Sequence, residues 1–169
     1  TLKDLEKNYE ELRKRDEVIQ IFSSPKINME LSLGLNPLKY EPRFMDTAVV
    51  FFDMRGFTTI SEKYDLKVVH DIINQYAGEI ISGIQRDGGF IDKIIGDAVM
   101  AQFDKPDDCL VSIRKIRMKL SDLNRERYEN NLPVINFGTG ISFGKVLSAN
   151  FGSNIKMDRT IIGDIVNTS

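Results

Sequence analysis

The stretch F90-I-D-K-I-I-G-D-A-V-M-A-Q-F103 decides the fold. Two short apolar runs, Phe90 to Ile95 and Ala98 to Phe103, flank the pair Gly96-Asp97, which is the sequence of a β-hairpin with a two-residue turn. Helical periodicity lies on both sides of it. Upstream, Leu66, Val69, Ile73, Ala77, Ile80 and Ile84 recur at spacings of three and four, and Gly88-Gly89 ends that helix. Downstream, Asp104 and Pro106 open a second helix with Cys109, Ile113, Ile116, Leu120 and Leu123 on one stripe. Before the first helix, Thr47 to Phe52 is a continuous, partly β-branched apolar run suited to a central strand. After the second helix, Val134 to Phe143 and Val146 to Phe151 return to strand character around Gly144-Lys145. The order βαββαβ is the α+β, ferredoxin-like arrangement, a mainly antiparallel sheet with helices on one face.

Outside this core the chain changes character. Leu2, Leu5, Tyr9, Leu12, Asp16 and Ile19 alternate by three and four, so residues 1–22 read as a coiled-coil helix. Residues 23–45 carry Ser-Ser-Pro, Asn36-Pro37 and Glu41-Pro42 and read as a linker without elements, and the globular domain is expected to span 46–169. The chain begins at Thr1, so it is expected to be a piece of a longer protein.

Composition narrows the function. A net charge of −2 and a pI near 5.5 argue against a protein that coats nucleic acid. The single cysteine, Cys109, forms neither an internal disulfide nor a cysteine metal site, which fits a reducing, cytoplasmic location. No run approaches the roughly 20 apolar residues of a membrane span, which says nothing of a membrane-anchored parent. His70 reads as a surface or packing residue, Cys109 as core, and the run Arg114 to Lys119 as the solvated side of its helix. Gly138, Gly140 and Gly144 open no helix, so a dinucleotide loop fails on context.

The chemistry gathers around V49-V-F-F-D-M-R-G-F-T-T-I-S-E62. An apolar strand ends in Asp53, and in the expected topology Asp53 approaches Asp97 of the hairpin turn. Two close carboxylates stay ionised when cations sit between them, so the pair reads as oxygen ligands for magnesium or manganese. The same residues also read as a helix cap and a favoured turn residue. Gly56-Phe57-Thr58 stands between strand and helix, where unpaired N–H groups can cradle phosphate, and Thr59 with Glu62 has capping-box spacing. Lys93 lies among Ile91, Ile94 and Ile95, where it either snorkels to the edge or serves a ligand. Strand alternation sends Asp92 to the face opposite Lys93.

FFDMRGFT, GGFIDKIIGDAVMAQF, GTGISFGKV and TIIGDIVNTS, in that order, resemble the catalytic domain of the class III adenylate and guanylate cyclases over about residues 46–169. The resemblance implies an adenylate cyclase of bacterial type that converts ATP to 3′,5′-cyclic AMP and pyrophosphate. It implies two divalent ions, Mg²⁺ or Mn²⁺, held by Asp53 and Asp97 with the Met54 carbonyl, and triphosphate on Gly56, Phe57 and Thr58. Lys145 falls where the family often has a phosphate-facing arginine, and Asn167 matches the asparagine that orients the ribose. Lys93 and Thr160 match the base-reading pair, which a partner subunit contributes in a head-to-tail homodimer. A lysine donates to adenine N1, whereas guanine N1 carries a proton. Thr160 either donates or accepts, so it discriminates weakly. The resemblance further implies an upstream sensory domain acting through the N-terminal helix. The family's arginine four residues past the asparagine falls beyond Ser169, so the domain reads as truncated and the fragment alone as inactive. Ser148-Ala149-Asn150 also departs from the usual Ala-Gly-Asn. The alternatives are a guanylate cyclase and a non-catalytic nucleotide-binding or dimerisation module; the retained Asp53, Asp97, Lys93 and Asn167 argue against the latter.

Overall fold

The computed structural model describes residues 2–168, which divide into two compact units at the Glu41/Pro42 junction. The first unit holds helix α1 (Leu2–Phe22), helix α2 (Pro25–Ser32) and a 3₁₀ turn (Pro37–Lys39). Every described residue of α1 is exposed, including Leu2, Leu5, Tyr9, Leu12 and Ile19 of the expected seam. The stretch expected to be free of elements contains α2 because Pro25 occupies the first helical turn, where its missing N–H costs nothing. Asn28 ties α2 back to α1 by donating from Nδ2 to the Gln20 carbonyl at 2.7 Å. The prolines of that stretch punctuate its ends without emptying it of helix.

In the second unit the elements are β1 (Arg43–Arg55), α3 (Phe57–Lys63), α4 (Leu66–Arg86), β2 (Phe90–Ile95), β3 (Ala98–Phe103), α5 (Pro106–Glu129), β4 (Asn136–Gly152), β5 (Met157–Ile162) and α6 (Asp164–Thr168). Among the described residues the sheet has five strands in the order β2-β3-β1-β4-β5, all neighbours antiparallel. Its first four strands have the ferredoxin-like connectivity, and β5 adds one strand outside β4. β1 is central, which explains why Thr47 to Val50 and Phe52 are all fully buried.

Alternation along β1 divides the core. Ala48, Val50, Phe52 and Met54 pack with α4 and α5, whereas Val49 joins Met100, Val146 and Ile161 on the opposite face. The two long helices therefore share one face, and only the short α6 packs on the other, through Ile165 and Val166. Leu66, expected on the buried stripe of α4, is exposed, and Ile72 and Tyr76 take the central places. Cys109, Ile116, Leu120 and Leu123 form the buried stripe of α5, and the Arg114–Lys119 run faces solvent apart from Ile116.

Gly144 and Lys145, where the sequence suggested a break between strands, lie inside the 17-residue β4. Both flanks pair with β1, Gly144 opposite Thr47 and Lys145 opposite Asp46, so the ladder holds the chain extended. The glycine serves packing instead: a Cβ there would meet Ile165 of α6 at 3.0 Å. No described helix is long and apolar enough to cross a membrane.

Candidate active site

Asp53 answers to the alternation of β1. Its neighbours Phe52 and Met54 turn into the core, so the carboxylate leaves the strand on the opposite side and is exposed. The β1–β3 register runs to Phe52 opposite Val99, and one further step brings Asp53 opposite Ala98, next to Asp97 in the hairpin turn. Gly96 takes φ +60°, the positive φ that a two-residue hairpin turn of this kind needs at its first central position. Asp97 is half-buried, and neither aspartate makes an ion pair or side-chain hydrogen bond with another described residue.

The donor set fits a hard divalent cation that keeps other oxygen ligands. Two free carboxylates at adjoining strand ends suit magnesium or manganese, which retain water and take substrate phosphates. Among the described residues no cluster of three or more His, Cys, Asp and Glu forms an all-protein cage.

Beyond Asp53, Gly56 takes a left-handed conformation, φ +72° and ψ +22°, and acts as N-cap of α3. It turns the chain from strand to helix and leaves the α3 N-terminus without a side-chain cap. The Thr59–Glu62 capping box does not form, because α3 starts two residues before Thr59. On the other side of Asp53 stands Gly138 of β4, its register partner. A Cβ at Gly138 would collide with the Arg55 guanidinium, which lies across that glycine.

The second constellation centres on Asp92, which sequence reasoning left out. The β2–β3 register passes from Ile91 opposite Ala101 to Lys93 opposite Met100, so a bulge inserts Asp92 and both Asp92 and Lys93 oppose Met100. They therefore do not take opposite faces: Lys93 Nζ lies 3.4 Å from Asp92 Oδ2. The Asp92 side chain is only 3% exposed, while Lys93 keeps 35% of its surface. Gln102 donates from Nε2 to Asp92 Oδ1 at 2.5 Å, and Thr160 donates from Oγ1 to Asp92 Oδ2 at 2.8 Å.

The Thr160 contact reports the shape of the sheet. β2 and β5 are its two edge strands, and a flat sheet would hold them about 19 Å apart at ~4.8 Å per strand. Twist and coiling bring the two ends together, so Lys93 and Thr160 converge on one carboxylate. The only sequence signal for this was the acidic residue inside an apolar run.

The remaining expected residues lie elsewhere. Lys145 and Asn167 are exposed. Lys145 pairs with Asp46, seven register steps from the Asp53 pair, about 23 Å along an extended strand. The structure does not bring it to Asp53 within one chain. His70 is exposed and held by Asp71 and Asn74 on its own helix, away from this chemistry.

Comparison with known proteins agrees with this fold. The family described as "Adenylate and Guanylate cyclase catalytic domain" matches residues 39–169. An adenylate cyclase of Anabaena cylindrica is 37% identical over 127 residues, which cover 72% of this chain and 25% of that protein. Among solved structures, a bacterial light-regulated adenylyl cyclase superposes with a TM-score of 0.93 at 29% identity, over 99% of this chain and 51% of that one. A guanylyl cyclase superposes with a TM-score of 0.69 at 27% identity, over 76% of this chain and 68% of that one. The chain thus spans about a quarter of the curated relative and half of the light-regulated structure.

Proposed function

The chain belongs to the family of adenylate and guanylate cyclase catalytic domains, and from that premise we propose that it is an adenylate cyclase output domain. The reaction joins the ribose 3′-oxygen of ATP to the α-phosphorus, breaks the bond from that phosphorus to the pyrophosphate oxygen, and releases the hydroxyl proton. Asp53 and Asp97, with the Met54 carbonyl, hold two divalent ions, Mg²⁺ or Mn²⁺. Bound there, such ions supply Lewis acidity at the 3′-hydroxyl and balance the triphosphate charge. Gly56, Phe57 and Thr58 offer backbone N–H groups to the phosphates at the uncapped start of α3. Asn167 orients the ribose. Lys145 is assigned to phosphate on the resemblance alone, since its place on β4 separates it from Asp53 in the same chain.

The observation that carries adenine over guanine is the convergence of Lys93 and Thr160 on Asp92. Lys93 is a pure donor and suits adenine N1, which only accepts. We assign this pair to a site shared with a second copy in a head-to-tail homodimer. Exposed apolar side chains on the strands, Phe44, Ile94, Ile95 and Phe143, support a covering partner. The helix α1, with its a/d residues uncovered, fits a coiled-coil input from an upstream sensory domain. Likeness to a solved guanylyl cyclase keeps GTP as the second substrate reading.

Formation of cyclic AMP by the full-length protein tests the proposal. Activity from ATP that requires Mg²⁺ or Mn²⁺ and disappears in Asp53→Ala and in Asp97→Ala is expected. ATP that binds and stays intact in the wild type would instead favour a non-catalytic module.

A further inference from the structure

We propose that Asp92 is the residue that makes Thr160 read adenine. A threonine hydroxyl offers one hydrogen and two lone pairs, so by type alone it accepts from adenine N6 or donates to guanine O6 equally well. Here its hydrogen is committed. Thr160 Oγ1 donates to Asp92 Oδ2 at 2.8 Å, and a carboxylate cannot return a hydrogen. What Thr160 presents to a purine is therefore lone pairs only. They match the amino group of adenine and oppose the carbonyl of guanine.

The same carboxylate governs the other half of the pair. Lys93 Nζ stands 3.4 Å from the oxygen that receives Thr160, and Gln102 Nε2 fixes the second oxygen at 2.5 Å. All three of these neighbours donate, so none of them competes for the acceptor role. Because Asp92 is inserted by the bulge in β2, its side chain shares the side of Lys93, and the curled sheet delivers Thr160 to it. The Asp92 side chain itself is only 3% exposed, too buried to present an atom to a substrate. It is a positioning residue. Guanine would meet two mismatches at once, its N1–H against the Lys93 ammonium and its O6 against the Thr160 lone pairs. A site whose buried polar groups are committed in this way rejects the wrong partner far more strongly than a pocket selecting on shape.

This inference rests on the assignment of Lys93 and Thr160 to the base. Its test is the ratio of kcat/KM for ATP to that for GTP, measured on the full-length protein with manganese. Asp92→Asn keeps the shape. Its oxygen stays with Gln102, its nitrogen donates to Thr160, and the threonine hydrogen is released toward O6. The ratio is expected to fall about tenfold or more, with the melting temperature close to that of the wild type. Thr160→Val, which leaves Asp92 in place, is expected to lower the same ratio, and adding Asp92→Asn to it should lower the ratio by less than Asp92→Asn does in the wild type, the remainder being its effect on Lys93. A ratio unchanged in either single variant, or a fall from Asp92→Asn as large in the Thr160→Val background as in the wild type, overturns the role of Asp92 while the cyclase reading stands. Wild-type product from neither nucleotide overturns that reading and this inference with it.

Discussion

Tyr76 of α4 and Asn124 of α5 are joined by a hydrogen bond of 2.5 Å from the phenol to Oδ1, in the middle of the helix-covered core. Asn124 Nδ2 donates to the Ile135 carbonyl at 2.7 Å, and the Ile135 N–H reaches Tyr76 Oη at 3.2 Å and Asn124 Oδ1 at 3.1 Å. The circuit fixes the residue just before β4 between the two long helices. Removing the phenol oxygen takes away one of the two donors to Asn124 Oδ1 in a partly buried place, leaving only the Ile135 N–H. Tyr76→Phe is expected to cost about 1–2 kcal/mol, read as a lower urea midpoint with an unchanged slope. A midpoint equal to the wild type would show that the circuit contributes no net stability.

Cys109 is fully buried on α5, and burial pushes its thiol up to about 11. The thiolate, which is the reactive form, is scarce at neutral pH. Aromatic disulfide reagents at pH 8 should therefore titrate no thiol in the native chain and one after unfolding. Rapid native reaction would contradict the packing of α5.

Asp87 caps the C-terminus of α4 and accepts from Lys115 of α5 at 2.7 Å. Burial alone would raise its carboxyl, but hydrogen bonds from Lys115 and Arg86 outweigh it and hold it below the ordinary 3.8. A lowered carboxyl stabilises the fold fully above its unfolded value and loses that contribution as pH falls through the lower folded one. Asp87→Asn should be less stable than wild type at pH 7, by less than about 1 kcal/mol because Lys115 is half exposed. The gap should close below pH 3.8. A gap that persists there would assign the loss to packing.

A site shared between two copies makes a prediction about mixtures. Asp53→Ala removes a metal ligand from one half-site, and Lys93→Ala removes the base reader from the other. Each variant alone should be inactive. Mixed in equal amounts and allowed to exchange, they should regain roughly a quarter of wild-type activity, since half of the dimers then carry one whole site. No recovery, with exchange verified by mass, would place both residues in a single-chain site.

The parts of the architecture that local chemistry sets were readable beforehand. Phe90 to Phe103 is two short apolar runs that turn on Gly96-Asp97, so its hairpin follows from run length and turn geometry. The stripe Cys109, Ile116, Leu120 and Leu123 follows likewise from helical period. What escaped was set by pairing partners. Gly144-Lys145 resembles a turn, and only the β1 ladder on both flanks keeps it straight. Asp92 escaped for a similar reason, because a bulge is a property of the register between two strands and no residue type in β2 announces it. Its meeting with Thr160 depends on the coiling of the whole sheet.

The most direct measurement is a competition. The full-length protein is given equimolar ATP and GTP with manganese, and the cyclic products are resolved by chromatography, with Asp53→Ala alongside. Cyclic AMP in large excess, absent from the variant, is the expected result. Predominant cyclic GMP would contradict the reading of Lys93 and Thr160, and product that survives in Asp53→Ala would contradict the metal assignment.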